Sequence, residues 1–115
     1  MRQIDIFDIL EPEGEHEYLS DLNFRTMKVE EIVALLGDRL GLKFTFNDLF
    51  NEYQVKVGKR TLCVHLSHYY ADGDKAGALF ISCGWHDKTS GAGSPCDSLS
   101  EAYEFLHKAK KGANL

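Results

Sequence analysis

A chain of 115 residues, 43% hydrophobic and 27% charged with a formal net charge of −5, has the composition of one ordinary globular domain and can bury roughly 65% of its unfolded surface without needing disulfides or metals as staples. The balance is not basic, so no nucleic-acid partner is expected. The longest apolar run, Ile32 to Leu36, is far too short to cross a bilayer, so no membrane association is expected either.

Three cysteines are an odd number, which argues against a disulfide framework and for a reducing compartment. The N-terminus has Arg2 but no apolar h-region or small-residue cleavage site; a cytoplasmic location follows by default.

The charge is unevenly placed. Residues 1–22 hold seven acids against Arg2, a net of −6, and the other 93 residues sum to +1. The chain therefore divides into an acidic leader, 1–22, and a single domain, 23–115. Within the leader Ile4, Ile6, Phe7, Ile9 and Leu10 fit helical and strand spacing equally well, and Glu11 to Glu17 reads as solvated loop. The apolar stretch either packs across the domain's own core or docks on a partner.

From Val29 to Leu40 the apolar residues make one helical stripe (Val29, Ile32, Val33, Leu36, Leu40), with Glu30 and Glu31 in the first turn, Arg39 in the last and Gly41 just beyond. Those charges complement the helix dipole, and the glycine suits a left-handed C-terminal position. Leu42, Phe44 and Phe46 then alternate with polar residues as a short strand before an Asn47-Asp48 turn. Leu49 and Phe50 are expected as satellite core.

Three longer strands follow, Tyr53–Val57, Leu62–Ser67 and Ala78–Trp85, each alternating with the period of two of a half-buried strand. Gly58-Lys59 and Asp72-Gly73 are the expected two-residue turns. The first sets Val55 opposite Leu62 and Tyr53 opposite Val64; the second sets Leu62 opposite Cys83, Val64 opposite Ile81 and Leu66 opposite Leu79. One face then carries Tyr53, Val55, Val57, Leu62, Val64, Leu66, Leu79, Ile81, Cys83 and Trp85, and the other is polar except for Phe80. A one-residue slip would scatter the apolar residues over both faces.

His86 to Asp97 is a loop by composition. Ser98 and Glu101 then form a capping-box pattern for a helix to about residue 110, with Ala102, Tyr103, Leu106 and Ala109 on one stripe. The fold class is α+β: an antiparallel three- to four-stranded meander sheet with two helices packed on one face.

Two groups of residues are candidate sites. On the open sheet face Glu52, His65 and Phe80 fall in one cross-strand row with Cys63 one diagonal away, and Tyr69 and Thr61 near. Cys63, His65 and Glu52 could be nucleophile, base and orienter, but a flat face has no walls to exclude water and no oxyanion hole. An aromatic ringed by hydrogen-bonding residues suits a protein-binding face better.

The second group is the glycine-rich loop with His86, Ser90, Gly91, Gly93 and Ser94, whose backbone N–H groups could meet an anion or small molecule before the helix. It lacks the lysine and spacing of a P-loop, and Asp97 opposes a phosphate. Zinc would need four converging ligands; of Cys63, His65, Cys83, His86 and Cys96, at most Cys83, His86 and Cys96 could meet. Free thiols, surface histidines and no cofactor are expected.

The segment Leu79 to Trp85, the glycine-rich stretch after it and Cys96-Asp97-Ser98-Leu99 resemble small uncharacterised proteins carried by conjugative elements and phages of Gram-positive gut bacteria. The resemblance covers the last two-thirds of the chain and brings no catalytic motif; it implies an accessory binding role in the bacterial cytoplasm. The expected function is a non-enzymatic protein-interaction module, with an unidentified protein or a second copy of the chain as partner. The alternatives are a small-molecule or anion-binding domain built on the loop 86–97, and a DNA-mimic inhibitor built on the acidic leader.

Overall fold

A computed structural model describes Leu19, residues 22–70, Gly73 and residues 77–113. The apolar and acidic stretches expected in the leader, and with them the DNA-mimic reading, lie outside the described residues. Leu19 is fully buried, and Leu22 packs against the same core.

A 3-10 turn, Phe24–Thr26, buries Phe24, and Arg25 donates to the Leu79 carbonyl at 2.9 Å. Helix α1 spans Val29–Leu40, with both predicted ends. The Lys28 N–H donates to the Glu31 carboxylate at 2.8 Å, and Gly41 closes the C-terminus at φ 69°, a conformation that costs glycine little. Helix α2, Leu99–Gly112, starts at Ser98, whose side chain accepts the Glu101 N–H. The other half of the expected box is displaced by one residue: Glu101 reaches the Asp97 N–H. Lys110 of α2 donates to the Leu40 carbonyl, tying the two helices together at the negative end of α1's dipole.

Strands β1 (Thr45–Asn47), β2 (Glu52–Val57), β3 (Arg60–His68), β4 (Leu79–His86) and β5 (Gly91–Cys96) form one antiparallel meander in the order β1-β2-β3-β4-β5. Both helices pack on one face, against Leu62, Val64, Ile81, Cys83 and Cys96. The predicted apolar face is the face they cover. Among the described residues no helix is long and apolar enough to cross a membrane.

Four expectations need correction. First, the sheet has five strands, because residues 91–96 of the expected loop pair with β4, Gly91 opposite His86 through Cys96 opposite Ile81. Glycine and proline hide a strand from propensity, yet an edge strand tolerates both. Pro95 also blunts the exposed edge.

Second, β3 and β4 pair two residues away from the expected register. Leu62 faces Trp85, Val64 faces Cys83 and Leu66 faces Ile81, while β2 and β3 pair as predicted. The ladder closes at Tyr69 and Ala78, so Asp72-Gly73 is not a two-residue turn. Alternation has period two and cannot detect an even shift; every side chain stays on its face.

Third, Leu49 and Phe50 are 83% and 64% exposed, not satellite core. The Asn47 side chain accepts both their N–H groups at 2.9 and 3.2 Å, a tight Asx-type turn that points them away from the domain. Fourth, the strand expected over Leu42 to Phe46 is shorter and later, Thr45–Asn47; Leu42 and Phe44 instead pack against the core below it.

Candidate functional site

The open face is organised by a polar chain that crosses three strands. Asn47 of β1 donates to Gln54 at 3.0 Å, Gln54 donates to Glu52 of β2 at 2.6 Å, and the Glu52 carboxylate lies 3.9 Å from His65 Nδ1 of β3. Glu52 and His65 therefore meet as expected. Phe80 does not join their row: Ser82 stands opposite His65, and Phe80 stands opposite Ser67, the consequence of the two-residue register difference.

Cys63 joins this chain from beneath. Burial, then a hydrogen bond to Glu52 and its negative charge, push the thiol up to about 12. At neutral pH it is protonated, the wrong state for a nucleophile. Cys63 faces Gly84, which faces Gly93, and two missing side chains leave a shallow depression of about 250 Å³ walled by Glu52, Cys63, His65 and His86. A Cβ on Gly84 would lie 3.2 Å from the Ala92 carbonyl oxygen.

Phe80 instead packs on Tyr69, ring centroids 4.5 Å apart and planes at 42°. The Tyr69 hydroxyl donates to Asp97 at 2.8 Å, anchoring it to the segment that leads into α2. Beside this pair Tyr70 is 91% exposed, and a groove of about 480 Å³ is lined by His68, Tyr69, Tyr70, Phe80, Gly93 and Pro95.

The register places Leu49 and Phe50 at this same end of the sheet. Tyr53 faces Val64, so the turn before β2 lies alongside the last residues of β3, and those face the first residues of β4. Sequence reasoning found Tyr69 and Phe80 but not Leu49, Phe50, Tyr70 or Pro95. A readable signal existed for two of them: apolar residues inside a turn as tight as 48–51 have no path back to the core.

The second candidate group is dispersed along a hairpin. His86 ends β4, Ser90 lies in the turn, and Gly91, Gly93 and Ser94 belong to β5. Gly91 and Gly93 share the open face with His86, whereas Ser94, opposite Cys83, faces the helices. In the turn the Asp87 carboxylate accepts the N–H groups of Thr89 and Ser90 at 2.9 and 2.8 Å. Those bonds hold it at about 2. The Thr89 and Ser90 N–H groups are thus occupied by a carboxylate, and Asp97 and Glu101 flank the start of α2.

Cys83 and His86 do not converge, because three positions along a strand is an odd step and sets them on opposite faces. Among the described residues no three His, Cys, Asp or Glu side chains gather where they could hold a metal ion. Cys83 and Cys96 do meet, on the helix side of the sheet.

No protein-family model, no curated protein and no solved structure matches the chain.

Proposed function

We propose that this chain is a protein-binding module, and that it engages its partner through the open sheet face with the aromatic end as anchor. The observation that carries the reading is the gathering of exposed Leu49, Phe50 and Tyr70 at the same end as the Tyr69–Phe80 pair. Exposed aromatic and aliphatic side chains set among hydrogen-bonding residues are what protein interfaces use. The glycine-floored depression beside Glu52 and His65 adds a place where a partner's side chain can approach the backbone closely.

Native mass spectrometry and crosslinking of the wild-type chain establish whether the partner is a second copy or another protein. Phe80→Ser and Phe50→Ser then test the surface, with Lys111→Ala, exposed on α2 away from this face, as the control. Loss of hot-spot aromatics weakens association by on the order of thirtyfold. Association unchanged by both substitutions rules this surface out.

A further inference from the structure

The face of the sheet beneath the helices carries a second, unrelated feature: two free cysteines in side-chain contact. Cys83 of β4 stands opposite Ser94, and Cys96 at the end of β5 stands opposite Ile81. They are diagonal neighbours on one face of adjacent antiparallel strands. In a regular ladder diagonal Cβ atoms are about 7 Å apart or less, and a disulfide needs about 4 Å. Among the described residues β5 is an edge strand paired only with β4, and Gly91 and Gly93 within it ease the shift that closes the gap.

The two sulfurs are not equivalent. Both are buried in the core that α2 covers, Cys83 1% and Cys96 2% exposed. Cys96 also lines a groove of about 270 Å³ between β5 and α2, together with Ser94, Glu101, Glu104, Phe105 and Lys108. The hydrogen bond to Cys96, then burial, hold the Cys83 thiol well above its ordinary value. That same bond lowers the Cys96 pKa, against burial and the charges of Glu101 and Asp97.

We propose that Cys83 and Cys96 are a peroxide-responsive dithiol, in which Cys96 is oxidised first through the β5–α2 groove and Cys83 resolves it as an intramolecular disulfide. The Cys96 thiolate attacks the peroxide O–O bond, forming sulfenic acid and releasing hydroxide, or alkoxide from an organic peroxide. The Cys83 sulfur then displaces the sulfenic oxygen, the S–S bond forms, and the Cys83 proton leaves with that oxygen as water. The hydroperoxide is reduced by two electrons, and the dithiol supplies both. A thiol reductant reverses the change by exchange.

The test treats the reduced wild-type chain with about one equivalent of hydrogen peroxide at neutral pH, then unfolds, alkylates and digests it with trypsin. The three cysteines fall in separate peptides: 61–75 with Cys63, 76–88 with Cys83 and 89–108 with Cys96. The expected product joins 76–88 to 89–108, is lighter by two hydrogen atoms, disappears with dithiothreitol, and forms about tenfold faster than any oxidation of Cys63. Cys83→Ser should stop the reaction at a Cys96 sulfenic acid that dimedone traps, and Cys96→Ser should leave Cys83 reduced. Oxidation spread evenly over the three thiols, oxidation of Cys63 first, or disulfides only between chains overturns the proposal. The wild-type peptide map decides between these outcomes even where a variant fails to fold.

Discussion

The guanidinium of Arg60 lies over the Trp85 ring, 3.7 Å from its centroid, and donates to the Ala109 carbonyl at 3.0 Å. One side chain thus clamps the start of β3 to the end of β4 and to the last turn of α2, where the helix dipole favours a cation. Its fork and flat face suit both contacts at once, which a lysine cannot reproduce. Gly112 is part of the same fit, since a Cβ there would run into the guanidinium.

Arg60→Ala should therefore cost about 2 kcal/mol from the lost cation–π contact, hydrogen bond and packing. Thermal unfolding should shift down by roughly 5–12 °C, and Arg60→Lys should recover less than half of that. A melting temperature unchanged in Arg60→Ala would show that the clamp contributes nothing net.

Gly37 sits inside α1, where alanine would normally gain about 1 kcal/mol of helix propensity. Here a Cβ would lie 2.5 Å from the Leu42 backbone carbonyl oxygen, with the Phe44 ring at 3.7 Å. The carbonyl belongs to a segment held by the Leu42 N–H to Gly37 carbonyl bond, so it cannot swing aside cheaply. Overpacking costs of about 1–3 kcal/mol then outweigh the propensity gain. Urea unfolding of Gly37→Ala should show a lower midpoint at unchanged slope; a higher midpoint would mean that the Leu42 turn relaxes freely.

The helices and the sorting of side chains between sheet faces were legible because each rests on a local period. Val29–Leu40 shows a 3.6-residue stripe with charges and a glycine at the proper ends, and β2 through β4 alternate without a break. What escaped is what such periods do not encode. The true β3–β4 register differs by two residues, a shift to which alternation is blind, so Phe80 moved from His65 to Tyr69. The fifth strand contains Gly91, Gly93 and Pro95, and only its pairing with β4 makes it a strand. In the candidate site Glu52 and His65 were found because the Gly58-Lys59 turn fixed their register. Leu49, Phe50 and Tyr70 were missed because hydrophobicity alone reads as burial.

His107 stacks on Tyr103 one helical turn away, centroids 5.5 Å apart and planes at 14°. Burial, then the charges of Lys111 and Lys110, hold its pKa below the ordinary 6.5. The folded state therefore binds this proton less readily than the unfolded chain. The stability linked to it is complete above pH 6.5 and is lost as pH falls through the lowered folded value. Melting temperatures of wild type and His107→Gln, compared from pH 8 to 5, should converge toward acid, because only the wild type loses this contribution. Parallel curves would show that His107 titrates alike in both states.

Cys63 offers the most direct probe of the open face, because part of what raises its pKa is one removable neighbour. Burial is the largest cause, and the Glu52 hydrogen bond and charge add to it. Glu52→Gln removes the charge and leaves the burial, so the thiol should descend toward its ordinary value without reaching it. Since alkylation proceeds through the thiolate, iodoacetamide at pH 8 should modify Cys63 several-fold faster in Glu52→Gln than in wild type, yet slower than in the urea-unfolded chain. The same substitution loosens the Gln54–Glu52–His65 chain, so the His65 ring resonances should move as well. A Cys63 rate equal to wild type would place Glu52 away from the thiol and break the connection between the β2 and β3 halves of the polar row.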